Sequence, residues 1–182
     1  MAQQELARVT QITTQTLRFH RQSTNHSCAK LQDIVDSSLA LFRGRMVACG
    51  IEIEREYADC PPLRCAEADL RQVITNLLSN ALDATKQGGR IIARVHPATN
   101  RKTGERGLQL CVADTGHGMS PETVHHIFEP FYTTKDNVGT GLGLWVSKGI
   151  LDQHHATVRV RSSQKPGASG TVFSVFFPFP EE

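Results

Sequence analysis

Three groups of residues in this chain have types and spacings suited to chemistry. Asn76, Asn80 and Asp83 fall at i, i+4 and i+7 of a stretch from Leu70 to Thr85 that also carries an apolar stripe of Leu70, Val73, Leu77 and Ala81, so all three project from one helix face. Amide oxygens are hard donors suited to Mg²⁺, which takes one or two protein oxygens and completes its shell with water and phosphate. A solvated polar face would give the same spacing, but asparagine is a mediocre helix former and two of them stand mid-helix. In the second group, Asp114 shares strand parity with Leu108, Leu110 and Val112 and is followed at once by Thr115-Gly116-His117-Gly118. A carboxylate aimed at the apolar side needs a partner, and the glycines allow a flat ligand close to the backbone. An adenine amine is a natural donor there, although a strand-ending turn explains the pattern equally well. The third group, Gly139-Thr140-Gly141-Leu142-Gly143-Leu144, opens directly into a helix, where exposed N–H groups and the helix N-terminus suit a polyphosphate. No Gly-Lys-Ser/Thr follows, so it is not a P-loop, and no strand feeds directly into it as a dinucleotide fingerprint requires.

The elements that must hold these groups follow from hydrophobic period. Leu6, Val9, Ile12 and Phe19 mark an amphipathic helix over Glu5 to Arg21, and Leu31, Ile34, Val35, Leu39, Phe42 and Met46 mark a second before Gly50. The period becomes two at Ile51 and Ile53, and Leu63 to Ala66 reads as another short strand. The helix from Leu70 is expected to stop at Gly88-Gly89. Alternating runs at Ile91–Val95 and Leu108–Val112 make a hairpin across Asn100 to Gly107. A glycine-dense stretch from Thr115 to Gly143 is mostly loop, with one short helix signalled by Ser120-Pro121-Glu122. A helix from Leu144 to His155 and strands at Val158–Val160 and Thr171–Phe177 complete a two-layer order of helices and largely antiparallel sheet.

With 182 residues, one principal domain plus a short helical appendage is expected. The 20 basic and 18 acidic residues nearly cancel, so no general attraction to nucleic acid is implied. Five cysteines without a CxxC pair fit packed thiols in a reducing compartment. The sequence has neither a spanning apolar run nor a signal-like start, so a cytoplasmic domain is expected, whatever anchors its parent.

In this order and spacing, the three groups resemble the motifs of sensor histidine kinases within the wider gyrase-type ATPase superfamily. Asn76-Leu77-Leu78-Ser79-Asn80-Ala81 matches the asparagine box, Asp114 to Gly118 the first glycine box and Gly139 to Leu144 the second. Phe128-Glu129-Pro130-Phe131-Tyr132-Thr133-Thr134-Lys135 resembles the phenylalanine box, and Gly170-Thr171-Val172-Phe173 the closing strand. The resemblance implies an α+β fold, the Bergerat-type two-layer sandwich with a mixed, mainly antiparallel sheet against three helices. It also implies ATP and Mg²⁺ as ligands. Asn80 would coordinate the metal with Asn76 assisting, and Asp114 would bind the adenine amine. Asp83, Gly116, Gly118, Lys135, Gly139, Thr140, Gly141, Leu142, Gly143, Leu144 and Thr171 would complete the nucleotide contacts. Hydrolases of the superfamily carry a glutamate four residues before the metal-binding asparagine; here Asn76 stands there, and an amide cannot act as a base. A histidine acceptor needs less help, because neutral imidazole already presents a lone pair.

The resemblance implies three segments: residues 1–22 as the remnant of a second dimerisation helix, 23–29 as a linker and 30–182 as the ATP-binding catalytic domain. By the same resemblance the first dimerisation helix, which would bear the acceptor histidine, is expected upstream of this sequence, and His20 lacks the acceptor context. The expected partners are that dimerisation and phosphoacceptor domain, a response-regulator receiver domain and, for the parent kinase, a second copy of itself. The chain alone is expected to bind ATP but autophosphorylate poorly. Two other readings stay open: a nucleotide-binding regulatory module, degenerate or serine-directed, and a gyrase-like ATPase. The pairs His125-His126 and His154-His155 are expected to be surface residues, and no structural metal is expected.

Overall fold

The computed structural model describes residues 26–135 and 139–180. The predicted opening helix, His20 and the whole of residues 1–22 lie outside the described residues. Chain order is β1 (Ser27–Ala29), α1 (Leu31–Leu41), α2 (Arg43–Ala48), β2 (Glu52–Tyr57), β3 (Leu63–Cys65), α3 (Glu67–Ala84), β4 (Arg90–Thr99), β5 (Arg106–Asp114), α4 (Pro121–His126), α5 (Gly143–Gln153), β6 (Thr157–Ser163) and β7 (Gly170–Pro178). Five strands form one sheet in the order β2-β4-β5-β7-β6. Only the β2–β4 pair is parallel; β4–β5, β5–β7 and β6–β7 are antiparallel. The mixed, mainly antiparallel sheet expected from the sequence is therefore present, with α1, α3 and α5 packed side by side over one face.

Strand alternation decides which face is covered. Ile91, Ala93 and Val95 of β4, Leu108, Leu110 and Val112 of β5 and Phe173, Val175 and Phe177 of β7 are all buried, and Arg94 and Gln109 of the opposite parity are more exposed. The central helix α3 buries Leu70, Val73, Ile74, Leu77, Leu78, Ala81 and Leu82. Each large side chain among them is worth about 1.5–3 kcal/mol of transfer free energy. That wide apolar surface reflects contacts with the sheet below and with α1 and α5 on either side. The α3 N-terminus has no side-chain N-cap but carries Glu67 and Asp69 in its first turn, which complement its dipole.

Four details depart from the sequence reading. The single helix expected from Leu31 to Met46 breaks at Phe42 (φ −102°, ψ 2°), which caps α1 and accepts from the Met46 amide at 2.9 Å to start α2. The break turns Met46 into the core and swings Arg45 toward α3. Ser27–Ala29, taken as part of a linker, is a strand antiparallel to β3. α3 does not end in a glycine cap: Thr85 is extended, and Gly88 (φ +76°) instead forms the tight turn that leads into β4. Finally, His154 is not a free surface residue. Its Nε2 accepts from the Ala66 amide at 3.2 Å, and Nδ1 lies 2.9 Å from the Ile150 carbonyl, so it ties the end of α5 to the start of α3.

All five cysteines are free, and burial pushes the Cys65 thiol up to about 11. Among the described residues no helix is long and apolar enough to cross a membrane, and no cluster of His, Cys, Asp and Glu could hold a metal ion.

Candidate functional site

A cavity of about 570 Å³ opens between α3, the end of β5, the loop after α4 and the start of α5. It brings together most of the residues singled out in the sequence: Asn76, Asn80 and Asp83 from α3, Asp114 and Gly118 from the β5 turn, Lys135, Gly139, Thr140, Gly141, Gly143 and Leu144 from the second loop, and Thr171 from β7. Gly116 and Leu142 are not in its wall. Leu142 is buried and caps α5, and a Cβ on Gly116 would fall 2.6 Å from the Ala84 carbonyl oxygen. The glycine at 116 is thus required by the closeness of the β5 turn to the end of α3, not by a ligand.

Asp114 sits where the β5 parity places it, opposite Ile91 on β4 and Thr171 on β7. Its Oδ1 accepts from the Gly116 amide at 2.8 Å and the Thr171 amide at 3.2 Å. Among the described residues both hydrogen bonds to this carboxylate fall on one oxygen, which leaves the other to meet a donor in the cavity. Burial pushes the Asp114 carboxyl above its ordinary value, only partly opposed by these two amides and by His117. Thr171 contributes its amide; its hydroxyl lies 2.9 Å from Ser162 Oγ. That end of the cavity has apolar walls from Met119, Ile127 and Phe173, as a flat, weakly polar ring requires. The sequence alone does not single out Met119 and Ile127, and marks Phe173 only as part of the closing strand, since core and pocket residues share one hydrophobic pattern.

The opposite end is polar. α5 begins at Gly143 with no side-chain cap on its N-terminus, so its first-turn N–H groups remain available to an anion. Its approach to α3 is fixed by Asn76, whose Nδ2 donates to the Gly143 carbonyl at 2.9 Å and to Ser147 Oγ at 3.0 Å. A carbonyl can only accept, so the amide orientation of Asn76 is set, with Oδ1 turned from Gly143. Gly141 lies against the Phe131 backbone, where a Cβ would come within 2.3 Å of the carbonyl carbon. One turn along α3 from Asn76, Asn80 Oδ1 accepts from the Lys135 ammonium at 3.0 Å, and Asp83 receives both Lys135 and Arg45. Replacing Asn76 by alanine is expected to cost about 1–2 kcal/mol of stability, measured by urea unfolding. It should also loosen the α5 N-terminus, because Ser147 alone would then hold the Gly143 carbonyl.

A mainly antiparallel sheet under three helices, with a half-apolar, half-polar cavity between an asparagine-bearing helix and a glycine loop, defines a class: the ATP-binding α/β sandwich. Residues 65–181 match the model of the Histidine kinase-, DNA gyrase B-, and HSP90-like ATPase family, and the chain belongs to it. Sporulation kinase E of Bacillus subtilis is 29% identical over 176 residues, which are 96% of this chain and 23% of that protein. The sensor histidine kinase ZraS of Salmonella typhimurium is 34% identical over 151 residues, 81% of this chain and 30% of that protein. The chain therefore spans less than a third of the length of these curated relatives. Among solved structures, a mycobacterial sensor histidine kinase, MprB, superposes with a TM-score of 0.72 at 27% identity, covering 86% of this chain and 100% of that one.

Proposed function

We propose that this chain is the catalytic part of a two-component sensor histidine kinase: it binds ATP with Mg²⁺ and presents the γ-phosphoryl group to a histidine on the dimerisation and phosphoacceptor domain of its parent. Onward transfer to an aspartate of a response-regulator receiver, a homodimeric parent and a cytoplasmic setting belong to the same reading. Residues 1–22 then read as the end of the dimerisation hairpin. The segment 30–182 reads as the ATP-binding domain; β1 begins just before its assigned start and pairs with β3 inside it.

The observation that carries phosphotransfer over hydrolysis is Asn76. Its amide is a structural bridge to Gly143 and Ser147, and an amide has no basicity with which to activate water. Among the remaining groups, Asp114 would accept the adenine amine, and Met119, Ile127 and Phe173 would flank the ring. The Gly139 to Leu144 loop and the α5 N-terminus would hold the phosphates, with Lys135 beside them. The donor set fits Mg²⁺: Asn80 offers a hard amide oxygen, and an ammonium already stands on it. Bound there, Mg²⁺ would neutralise phosphate charge, leaving the chain's own residues to position the donor and exclude water.

The testing experiment is calorimetric titration with a non-hydrolysable ATP analogue, with Mg²⁺ and then with chelator. Binding that Mg²⁺ strengthens is expected; a folded protein that binds no nucleotide would sink the reading. Asn80→Ala is expected to remove about tenfold of the Mg²⁺ enhancement, leaving binding under chelator little changed. An equal loss with and without Mg²⁺ would take Asn80 out of the metal site.

A further inference from the structure

Four side chains from three parts of the chain form a line at the polar end of the cavity. Arg45 of α2 donates to Asp83 Oδ1 at 2.6 Å, Lys135 donates to Asp83 Oδ2 at 2.5 Å, and the same ammonium donates to Asn80 Oδ1 at 3.0 Å. Arg45 reaches Asp83 across 38 residues of sequence and Lys135 across 52, so only the folded chain assembles the line. Asp83 was expected to touch the nucleotide. A carboxylate facing a polyphosphate would be repelled, and both of its oxygens are already taken by cations.

The contact with Asn80 has a consequence for the metal. An oxygen that ligates Mg²⁺ holds it at about 2.0–2.1 Å, and a doubly charged ion there would lie against the Lys135 ammonium and be strongly repelled by it. The two cations exclude each other at Asn80. Resting on the site reading given above, we propose that Lys135 is the resident cation of the metal position: Asp83, held by Arg45, keeps its ammonium on Asn80 until a magnesium nucleotide displaces it. Asp83 is then a positioning residue and not a nucleotide ligand.

Charge and geometry agree with this exchange. Before the nucleotide enters, Lys135 and Arg45 together cancel Asp83 and leave the site with a positive excess, which favours an incoming polyphosphate. When the ammonium leaves Asn80, Arg45 still satisfies Asp83, so no unpaired carboxylate is left facing the phosphates. Burial alone would raise the Asp83 carboxyl; the hydrogen bonds from Lys135 and then Arg45 outweigh it and hold the group below the usual carboxylate range. The pairing therefore persists through neutral pH. Its strength is limited, because the Asp83 and Lys135 side chains are 28% and 40% exposed. A displaceable cation needs that modest hold.

The test is titration of the nucleotide-free 182-residue chain with Mn²⁺, followed by water-proton relaxation, for the wild type, Lys135→Met and the double variant Lys135→Met with Asp83→Asn. Lys135→Met is expected to bind Mn²⁺ about fivefold more tightly than the wild type, the effect of losing a partly exposed charge. The double variant is expected to keep most of that gain, since with the ammonium gone residue 83 has nothing left to position and Arg45 still holds it. Circular dichroism of each variant establishes folding, and Lys135→Gln serves as a second substitution. Unchanged or weaker Mn²⁺ binding in Lys135→Met and Lys135→Gln overturns the proposal, as does a gain that the double variant loses altogether, which would make the Asp83 carboxylate itself the ligand. A parallel titration of the wild type with the magnesium nucleotide analogue separates the two levels: if it binds, a failed Mn²⁺ result counts against the resident cation alone. If it does not bind, the site reading falls, and this proposal with it.

Discussion

Asp114→Asn is expected to lower affinity for ATP by about 1.5–3 kcal/mol, the worth of a hydrogen bond to a charged group, or about ten- to a hundredfold in Kd. The chain should stay folded. One carboxylate oxygen accepts from the Gly116 and Thr171 amides, and the oxygen of an asparagine can keep both. Its NH₂ would then occupy the position of the free oxygen and point a donor at a donor. Stability is expected to move the opposite way from affinity. The folded Asp114 carboxyl lies above its ordinary value because burial disfavours its charge, so its contribution to stability is present at acid pH and lost as pH rises through the raised value. At neutral pH the wild type holds an ionised group at a cost that asparagine removes. Thermal unfolding at neutral pH should thus show an unchanged or raised Tm for Asp114→Asn, with any gain fading in acid. Wild-type nucleotide affinity, which needs the ionised acceptor, should begin to fall at a higher pH than an ordinary carboxylate would give. A variant that lost both Tm and affinity would assign Asp114 to the fold, and unchanged affinity would remove it from the adenine site.

That separation of binding from folding also explains which parts of the site could be read in sequence. Asn76 and Asn80 share a helix face, and Asp114 shares a strand face with Leu108, Leu110 and Val112. These facts are local, fixed by the periods of helix and strand, and the structure places all three in the cavity wall. The partners are another matter. Asn76 meets Gly143 67 residues away, and Arg45 and Asp83 meet only because Phe42 breaks a helix that periodicity alone would continue. The β1 strand has three residues and pairs with β3, too short a run for alternation to register. Glycine was legible as a type but not in its reason. The sequence left the glycines after Asp114 open between a turn and a ligand, and the structure shows a backbone reason for each: Gly116 lies against Ala84, and Gly118, which also lines the cavity, against Ser163.

Gly118→Ala is expected to be the most damaging single methyl addition in the site, and Gly88→Ala supplies its control. Both residues have positive φ, +69° and +76°, so an added Cβ strains the backbone at each. They differ in what that Cβ meets. At Gly88 nothing lies within 4 Å, whereas at Gly118 the Ser163 carbonyl oxygen would be 1.9 Å away and that of Gly170 3.2 Å away. Neither obstacle is the end of a flexible side chain. Both belong to the β6 and β7 ends, tied to the same turn by Ser162, which accepts from the Met119 amide at 2.7 Å and donates to the Gly170 carbonyl at 3.0 Å. Relief would require the turn to withdraw from β6, pulling on the Thr171 amide that orients Asp114. Gly88→Ala should cost about 1 kcal/mol, the left-handed backbone alone, and leave nucleotide affinity unchanged. Gly118→Ala should cost about 2–5 kcal/mol, strain plus a forced backbone shift, and also weaken the nucleotide because the carboxylate loses its alignment. Urea unfolding and titration of the two variants side by side measure the difference. Equal costs would mean that the contact of the turn with β6 is looser than 1.9 Å implies, and that glycine is needed there for backbone conformation alone.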